Sequence, residues 1–213
     1  MPEIPIRTAV ITGGHAFDVP AFTRLFRVIA NVNAYVQTLD DFAADAGKVR
    51  DWYDVLVFYN HHQETPASGS ATRATLERLG ETDQGIVVLH HALLAFRDWS
   101  VWDEVVGIED RGFSYDHDQQ LTVHVADPDH PITQGLSDFV MVDETYSVNE
   151  PGPDSHVLLT TDHPKSMEAL AWTHTYGKAR VFCYESGHGA SAFDNPHFRT
   201  VLGRGIAFVA QRS

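Results

Sequence analysis

Histidine is the side chain whose number and placement in this sequence best suit chemistry, with 13 copies among 213 residues. Several copies directly follow short apolar runs rich in β-branched residues, which is the pattern of buried parallel strands. Ligands of open α/β sheets bind beyond the carboxyl ends of the strands, so these positions are the first candidates for a site. We therefore predict that four strand ends carry imidazoles to one edge of a sheet. The histidines in such positions are His15, His61, His62, His90, His91 and His188.

Imidazole can ligate a metal, act as a general base or form hydrogen bonds with sugar hydroxyls. Three imidazoles that arrive on separate loops resemble an open catalytic zinc site more than a closed structural one. We predict His15, His90 and His188 as metal ligands and, together with Glu144, as catalytic residues. A divalent metal such as zinc is the candidate cofactor, and metal-free acid and base catalysis is the alternative.

Other cofactors and nucleophiles have no motif in the sequence. Gly13-Gly14 does not complete G-x-G-x-x-G, and no Walker A sequence, H-E-x-x-H motif or G-x-S-x-G elbow occurs. The single cysteine, Cys183, lies within an apolar run, where a thiol usually packs inertly. We therefore expect neither a nucleotide nor a flavin, and no cysteine nucleophile.

Further polar and aromatic residues near the strand ends are predicted to bind substrate. The carboxylates and phenol of segment 143–146 could orient a histidine or exchange a proton, although the segment alone is more typical of a solvated turn. Adjacent histidines cannot both point the same way from an extended backbone, so one member of each pair is predicted to be structural. Trp99 could stack on a sugar, with core packing as the alternative. The predicted substrate-binding residues are His91, Asn60, His61, Asp143, Tyr146 and Trp99.

The elements that must position these residues follow from hydrophobic periodicity. In the first half, the pattern predicts strands at residues 6–12, 34–39, 54–59 and 85–89, and helices at residues 19–30, 49–53 and 71–79. Strands separated by helices need right-handed crossovers, which predicts an α/β fold with a mainly parallel sheet and helices on both faces. The second half is predicted to be strand-rich, with antiparallel pairing as one option, and to end in a helix over residues 195–210. Its predicted strands are at residues 121–125, 139–142, 156–161, 169–172 and 179–184.

Composition limits the partners. The formal net charge of −14 would repel nucleic acid and anionic membrane surfaces, so we expect neither as a partner. The longest apolar runs are far too short to span a membrane, and residues 1–7 lack the pattern of a secretory signal. A lone cysteine cannot form an internal disulfide. We expect a cytoplasmic protein with one domain over residues 1–213, and a homo-oligomer is an open option.

Several segments together resemble the ThuA family, which is named for bacterial trehalose utilisation. Residues 85–92 (GIVVLHHA) with Trp99 are similar to the family's strand, histidine and tryptophan stretch. Residues 127–133 (DPDHPIT) with segment 143–146 resemble its central signature. Residues 176–182 (YGKARVF), residues 187–189 (GHG) and the closing helix resemble its carboxyl-terminal signature. The resemblance covers nearly the whole chain, and the segments occur in the family's order.

The resemblance implies a flavodoxin-like three-layer fold of the class I glutamine amidotransferase type. In that fold, the turn after the fourth strand is the place of the cysteine nucleophile elbow, and here that turn carries His90 and His91. Without a thiol there, the thioester route of amidotransferases is not available. The chain also departs from the family pattern at Ala179, where glycine is usual, and at its second histidine, His91.

The resemblance further implies a role in carbohydrate catabolism. Our leading hypothesis is an enzyme that acts on a sugar or an oxidised sugar derivative, by hydrolase-type or acid/base chemistry, in a histidine-rich pocket at the strand ends. Its partner would be a small sugar-like ligand. The alternatives are a sugar-binding or regulatory domain that catalyses no reaction, and a protein whose role is assembly through a self-complementary surface.

Overall fold

The computed structural model describes residues 4–45 and 49–212, which form a layered α/β structure. Its strands are β1 (Ile6–Gly13), β2 (Val32–Thr38), β3 (Val55–Asn60), β4 (Gly85–Leu89), β5 (Ser114–Val125), β6 (Phe139–Ser147), β7 (His156–Thr160), β8 (Ala169–Tyr176) and β9 (Ala179–Tyr184). Its α-helices are α1 (Val19–Val28), α2 (Leu39–Ala44), α3 (Ala71–Leu76), α4 (Ser100–Val106), α5 (Ala190–Phe193) and α6 (Pro196–Val209). Short 3₁₀ helices cover Arg50–Trp52 and His90–Leu94.

The strands form one nine-stranded sheet in the order β2-β1-β3-β4-β9-β8-β7-β5-β6. In this order, the strands β2, β1, β3, β4 and β9 pair in parallel with one another. The strands β9, β8, β7, β5 and β6 pair antiparallel. The sheet is therefore mixed, and the predicted mainly parallel sheet is not confirmed. The reason lies in the strand-rich second half, where the β7–β8 and β8–β9 connections are too short for a parallel crossover.

Helices cover both faces of the sheet, as expected. One core packs α1, α5 and α6 against one face, with Phe22 and Phe198 among its buried side chains. A second core packs α2, α3 and α4 against the other face, with Leu76 and Trp102 completely buried. Because both faces are covered, the central strands β3 and β4 are buried along their whole length, which explains their continuous apolar runs.

Capping residues fix two of the predicted helices. The side chain of Asp18 accepts a hydrogen bond from the backbone N–H of Ala21 and starts α1. Asn195 caps α6 in the same way through the N–H groups of His197 and Phe198. The helix predicted at residues 49–53 is only a 3₁₀ turn, and α2, α4 and α5 were not predicted because each is short.

The segment 127–133 is a turn built from its own side chains. Asp127 accepts a hydrogen bond from the N–H of Asp129, and Nδ1 of His130 accepts one from the N–H of Ile132. The hydroxyl of Thr133 donates to the carbonyl of Asp127. His130 thus helps to shape this turn.

The β5–β6 hairpin brings the far edge of the sheet back to its centre. The backbone N–H of Tyr146 in β6 donates to the carboxyl of Glu185, directly after β9. Asp143, also in β6, accepts hydrogen bonds from the N–H groups of Gly187 and His188. The hairpin thus reaches the carboxyl end of β9, where the predicted site lies.

None of the helices among the described residues is long and apolar enough to cross a membrane.

Candidate functional site

Three side chains from separate parts of the chain meet at the carboxyl edge of the sheet: His90 after β4, Glu144 in β6 and His188 after β9. Nε2 of His90 lies 3.2 Å from Nδ1 of His188. Oε1 of Glu144 lies 3.5 Å from Nε2 of His90 and 3.4 Å from Nδ1 of His188. We call these three residues the trio. Its members could together hold a metal ion.

His90 is held in one orientation by its surroundings. It adopts the left-handed backbone region with φ +53°, which is uncommon for a residue other than glycine. Its Nδ1 is 2.7 Å from the carbonyl oxygen of Glu185, and because a carbonyl can only accept, this nitrogen carries the proton. Nε2 therefore has the lone pair in the neutral ring, and the hydroxyl of Tyr146 donates to it at 2.8 Å. The lone pair of His90 thus points toward Glu144 and His188.

Glu144 is held by a β-bulge in the neighbouring strand. Asp116 pairs with Thr145 and Gln119 with Asp143, so two residues of β5 lie opposite Glu144 alone. One of them, His117, places its Nδ1 2.6 Å from Oε2 of Glu144. Each carboxylate oxygen of Glu144 thus has at least one imidazole neighbour. The bulge directs the His117 side chain toward Oε2.

The loop that carries His188 is fixed by Asp143. One oxygen of this buried carboxyl accepts from the N–H of Gly187 at 2.6 Å, and the other accepts from the N–H of His188 at 3.0 Å. The same side chain also accepts from the N–H of Glu144 at 2.9 Å. Asp143 therefore ties two members of the trio together through their backbones, which is a positioning role.

The charges within the site are strongly coupled. Burial alone would raise the pKa of Glu144, but the neighbouring His188, His90 and Tyr146 outweigh it and hold the pKa well below its ordinary range. The hydrogen bond to Glu144 raises the pKa of His188. Burial raises the pKa of Asp143 and of Glu185. In the absence of a metal, Glu144 is thus an anion beside a readily protonated His188.

A second imidazole group lies beside the trio and contains His15, His61 and His91. The ring centroid of His15 is 4.8 Å from that of His91 and 5.8 Å from that of His61, and the rings of His61 and His91 are 5.6 Å apart. His15 connects the two groups, because its ring lies 6.2 Å from that of His188. The structure thus does not bring His15, a predicted metal ligand, into the trio; Glu144 stands in its place.

Trp99, Asn60 and His62 lie away from the trio. Trp99 is buried in the second core, where its ring centroid lies 5.8 Å from that of Phe96. It thus follows the alternative of core packing. Asn60 follows Leu56 and Phe58 on the β3 face opposite to Tyr59, because side chains alternate along a strand. Its amide lies 3.4 Å from Nδ1 of His62, whose ring stacks on Phe96.

Both members of the pair His90–His91 lie at the site, which differs from the expectation of one structural histidine in each pair. The left-handed turn at His90 breaks the alternation of the strand, so the two rings stay 5.2 Å apart. For the pair His61–His62 the expectation is correct, because only His61 contacts the other imidazoles.

Sequence reasoning missed His117 and Glu185. His117 lies in a bulge that depends on pairing between two strands, and nothing local marks it. Glu185 directly follows β9, as His90 follows β4, so the rule of strand ends could have found it. Cys183 is fully buried and burial raises its pKa well above the ordinary value, so this thiol has no access to the site.

A family assignment agrees with this arrangement of strand-end histidines and carboxylates. The sequence matches the family model for ThuA, described as trehalose utilisation, over residues 10–209. The chain belongs to the ThuA family. No protein of curated function matches the sequence significantly.

Solved structures show the fold of this ThuA-family chain in other proteins. A ThuA-like protein from Parabacteroides merdae is 21% identical, with a TM-score of 0.77 over 97% of this chain and 90% of that one. A ThuA-like protein from Bacteroides uniformis is 19% identical, with a TM-score of 0.76 over 98% of this chain and 93% of that one. A glutamine amidotransferase from Thermotoga maritima is 9% identical, with a TM-score of 0.55 over 96% and 98%. The implied fold family is therefore confirmed.

The ThuA chain carries His90 in the turn after β4, where the resemblance implied the amidotransferase cysteine. The φ of +53° at His90 makes this turn sharp, and the 3₁₀ helix follows directly. The His90 side chain is nevertheless fully buried, with Tyr146 and Glu144 of β6 against it. Imidazole thus occupies the turn in which the resemblance implied a cysteine.

Proposed function

We propose that this chain is an enzyme that acts on a sugar or an oxidised sugar derivative, with the trio as its reactive centre. The ThuA family's description as trehalose utilisation supports a sugar as the substrate class. The position of the trio beyond the carboxyl ends of β4 and β9 is the place where open α/β sheets bind ligands. His188 keeps 34% of its side-chain surface exposed, so a ligand can reach the trio.

The triangle of ligand atoms carries the proposal. Its edges of 3.2, 3.4 and 3.5 Å join two imidazole nitrogens and one carboxylate oxygen. With bond lengths of about 2.0–2.1 Å, any two ligands of a tetrahedral zinc ion lie about 3.3 Å apart. The trio therefore has the spacing of three corners of a tetrahedron, which leaves the fourth corner for water or substrate.

The donor set also fits zinc. Two histidines and a glutamate form a known set of catalytic zinc ligands, and a ligating histidine usually donates its other N–H to a carbonyl or carboxylate. His90 makes this contact with the carbonyl of Glu185. We propose that His90, Glu144 and His188 hold a divalent metal, with zinc as the candidate. Such an ion would polarise a sugar carbonyl or lower the pKa of a bound water to about 7.

The remaining residues would bind, orient and transfer protons. The hydroxyl of Tyr146 donates to Nε2 of His90 in the metal-free site. With that lone pair bound to an ion, the hydroxyl would be free to donate to an oxygen of the substrate. His117 holds the second oxygen of Glu144, and its side chain is 58% exposed. The carboxyl of Asp143 keeps His188 and Glu144 in place through backbone contacts. Together, these residues supply acid and base groups around one open corner.

Turnover measurements test this proposal. Purified protein is incubated with trehalose, aryl glucosides and their keto derivatives, both after treatment with a chelator and after addition of zinc. We expect turnover of at least one sugar with zinc, and its loss in His188→Ala. His124→Ala is the matched control, because His124 also pairs with a carboxylate, Asp138, but lies outside the site. No turnover of any sugar under either condition would contradict the proposal.

A further inference from the structure

The second imidazole group contains a buried nitrogen with no partner. Nε2 of His91 lies 3.2 Å from the carbonyl oxygen of Tyr59, so Nε2 carries the proton and Nδ1 has the lone pair. This Nδ1 is buried and has no hydrogen-bond partner. His91 is 3% exposed, and an unpaired acceptor at such a position destabilises a fold, so a partner that supplies a donor would be favoured there.

His61 is fixed in a similar way at the edge of the same group. Its Nδ1 lies 2.9 Å from the carbonyl oxygen of His91, so Nδ1 donates the proton. The lone pair is then on Nε2, where the amide of Gln63 donates to it. Backbone carbonyls thus set the tautomers of both rings. The acceptor nitrogen of His91 has no partner, whereas that of His61 would exchange the amide of Gln63 for a ligand hydroxyl. Acceptors of this kind suit hydroxyl donors.

His15 covers this group from the solvent side. Its loop passes close to the chain after β3 because residue 14 is glycine: φ is +74°, and a Cβ there would lie 2.6 Å from the carbonyl carbon of His61. His15 itself is exposed, and its ring lies over that of His91.

We infer that His15, His61 and His91 form a hydroxyl-binding subsite, in which a sugar hydroxyl donates to Nδ1 of His91 while the reacting carbon lies at the trio. This inference rests on the proposed function and deepens it by dividing the histidines into a reactive group and a binding group. The distance of 6.2 Å between the rings of His15 and His188 is within the span of one sugar ring and its substituents.

An aromatic ring near the subsite also fits a sugar. The ring of Phe113 lies 6.1 Å from that of His61 and 6.0 Å from that of Tyr146, whose hydroxyl contacts His90 of the trio. An aromatic ring beside polar groups suits the mixed apolar and hydroxyl surface of a sugar.

NMR of isotope-labelled histidine tests the subsite directly, with trehalose, glucose and maltose as probes. We expect the free protein to show His91 protonated on Nε2, and at least one probe to shift the Nδ1 resonance of His91. Alanine at His15 or His61 should weaken binding of that probe about tenfold, which is the effect of one lost hydrogen bond. His62→Ala is the matched control and should leave binding unchanged, because its ring stacks on Phe96 instead.

The same spectra separate failure of the subsite from failure of the proposed function. Probe-induced shifts at His188 without any shift at His91, or unchanged affinity in both alanine variants, would overturn the subsite and leave the reactive trio standing. Shifts at His91 in a protein that turns over no sugar would support the subsite and contradict the enzymatic proposal. If none of the three probes shifts His91, the subsite is overturned.

Discussion

Nε2 of His90 lies 3.2 Å from Nδ1 of His188, although the two residues are 98 positions apart in the chain. Both nitrogens also approach Oε1 of Glu144 within 3.5 Å. Because Nδ1 of His90 donates to a carbonyl, its Nε2 presents a lone pair to this point. Lone pairs that converge in this way repel one another unless a proton or a cation lies between them.

Glu144→Gln keeps the shape of the side chain and removes its charge. We expect kcat to fall by at least about 100-fold, since the variant loses both a base and an anionic ligand. Far-ultraviolet circular dichroism should be unchanged. Asp138→Asn, which neutralises an exposed carboxylate paired with His124, is the matched control and should keep full activity. Wild-type activity in Glu144→Gln would show that the trio is not the reactive centre.

His117→Ala removes the imidazole that holds the second oxygen of Glu144. Loss of such a supporting contact usually weakens metal affinity or activity about 10- to 100-fold. Stability should change by less than about 0.5 kcal/mol, because the His117 side chain is mostly exposed. Kinetics and urea denaturation measure the two effects separately. A large loss of stability with normal activity would instead make His117 a structural residue.

The locations of most of these residues were predictable, whereas their roles were not. The apolar runs of β1, β3, β4 and β9 end where the strands end, so the rule of strand ends placed His15, His61, His90 and His188 at one edge. The far hairpin is different: Glu144 and His117 reach that edge through contacts with residues 185–188, far away in sequence. No local pattern encodes such contacts. The sequence therefore predicted His15 as the third metal ligand, whereas the structure places Glu144 there.

Stability should decrease on acidification because of His91. Burial lowers the pKa of His91 to about 2, whereas an unfolded histidine titrates near about 6.5. Between these values the unfolded chain binds a proton that the folded chain does not, so the free energy of unfolding falls as pH falls. From pH 7 to pH 5, this one group should remove about 2 kcal/mol.

Urea denaturation of wild type and His91→Gln at both pH values measures this contribution. The variant should lose about 2 kcal/mol less than wild type over the same interval. His163→Gln, at a histidine outside the site, serves as the control for removal of a titratable ring. An equal pH dependence in wild type and His91→Gln would show that His91 is not held neutral in the fold.

The thiol of Cys183 should play no part in catalysis. It is buried in the second core and its pKa is raised, so iodoacetamide should not label the native protein or inhibit it. Cys183→Ala should lower stability by roughly 1 kcal/mol and keep activity. Inhibition by iodoacetamide that is lost in Cys183→Ala would contradict this account and reopen a thiol mechanism.

The metal content of protein purified without a polyhistidine tag tests the central claim most directly. Elemental analysis after incubation with zinc and removal of free metal should give about one zinc per chain for wild type and for His124→Ala. The ratio should fall close to zero in His188→Ala and Glu144→Gln, because each variant lacks one corner of the triangle. Equal zinc in all four proteins, or no zinc in wild type, would contradict a metal centre at His90, Glu144 and His188.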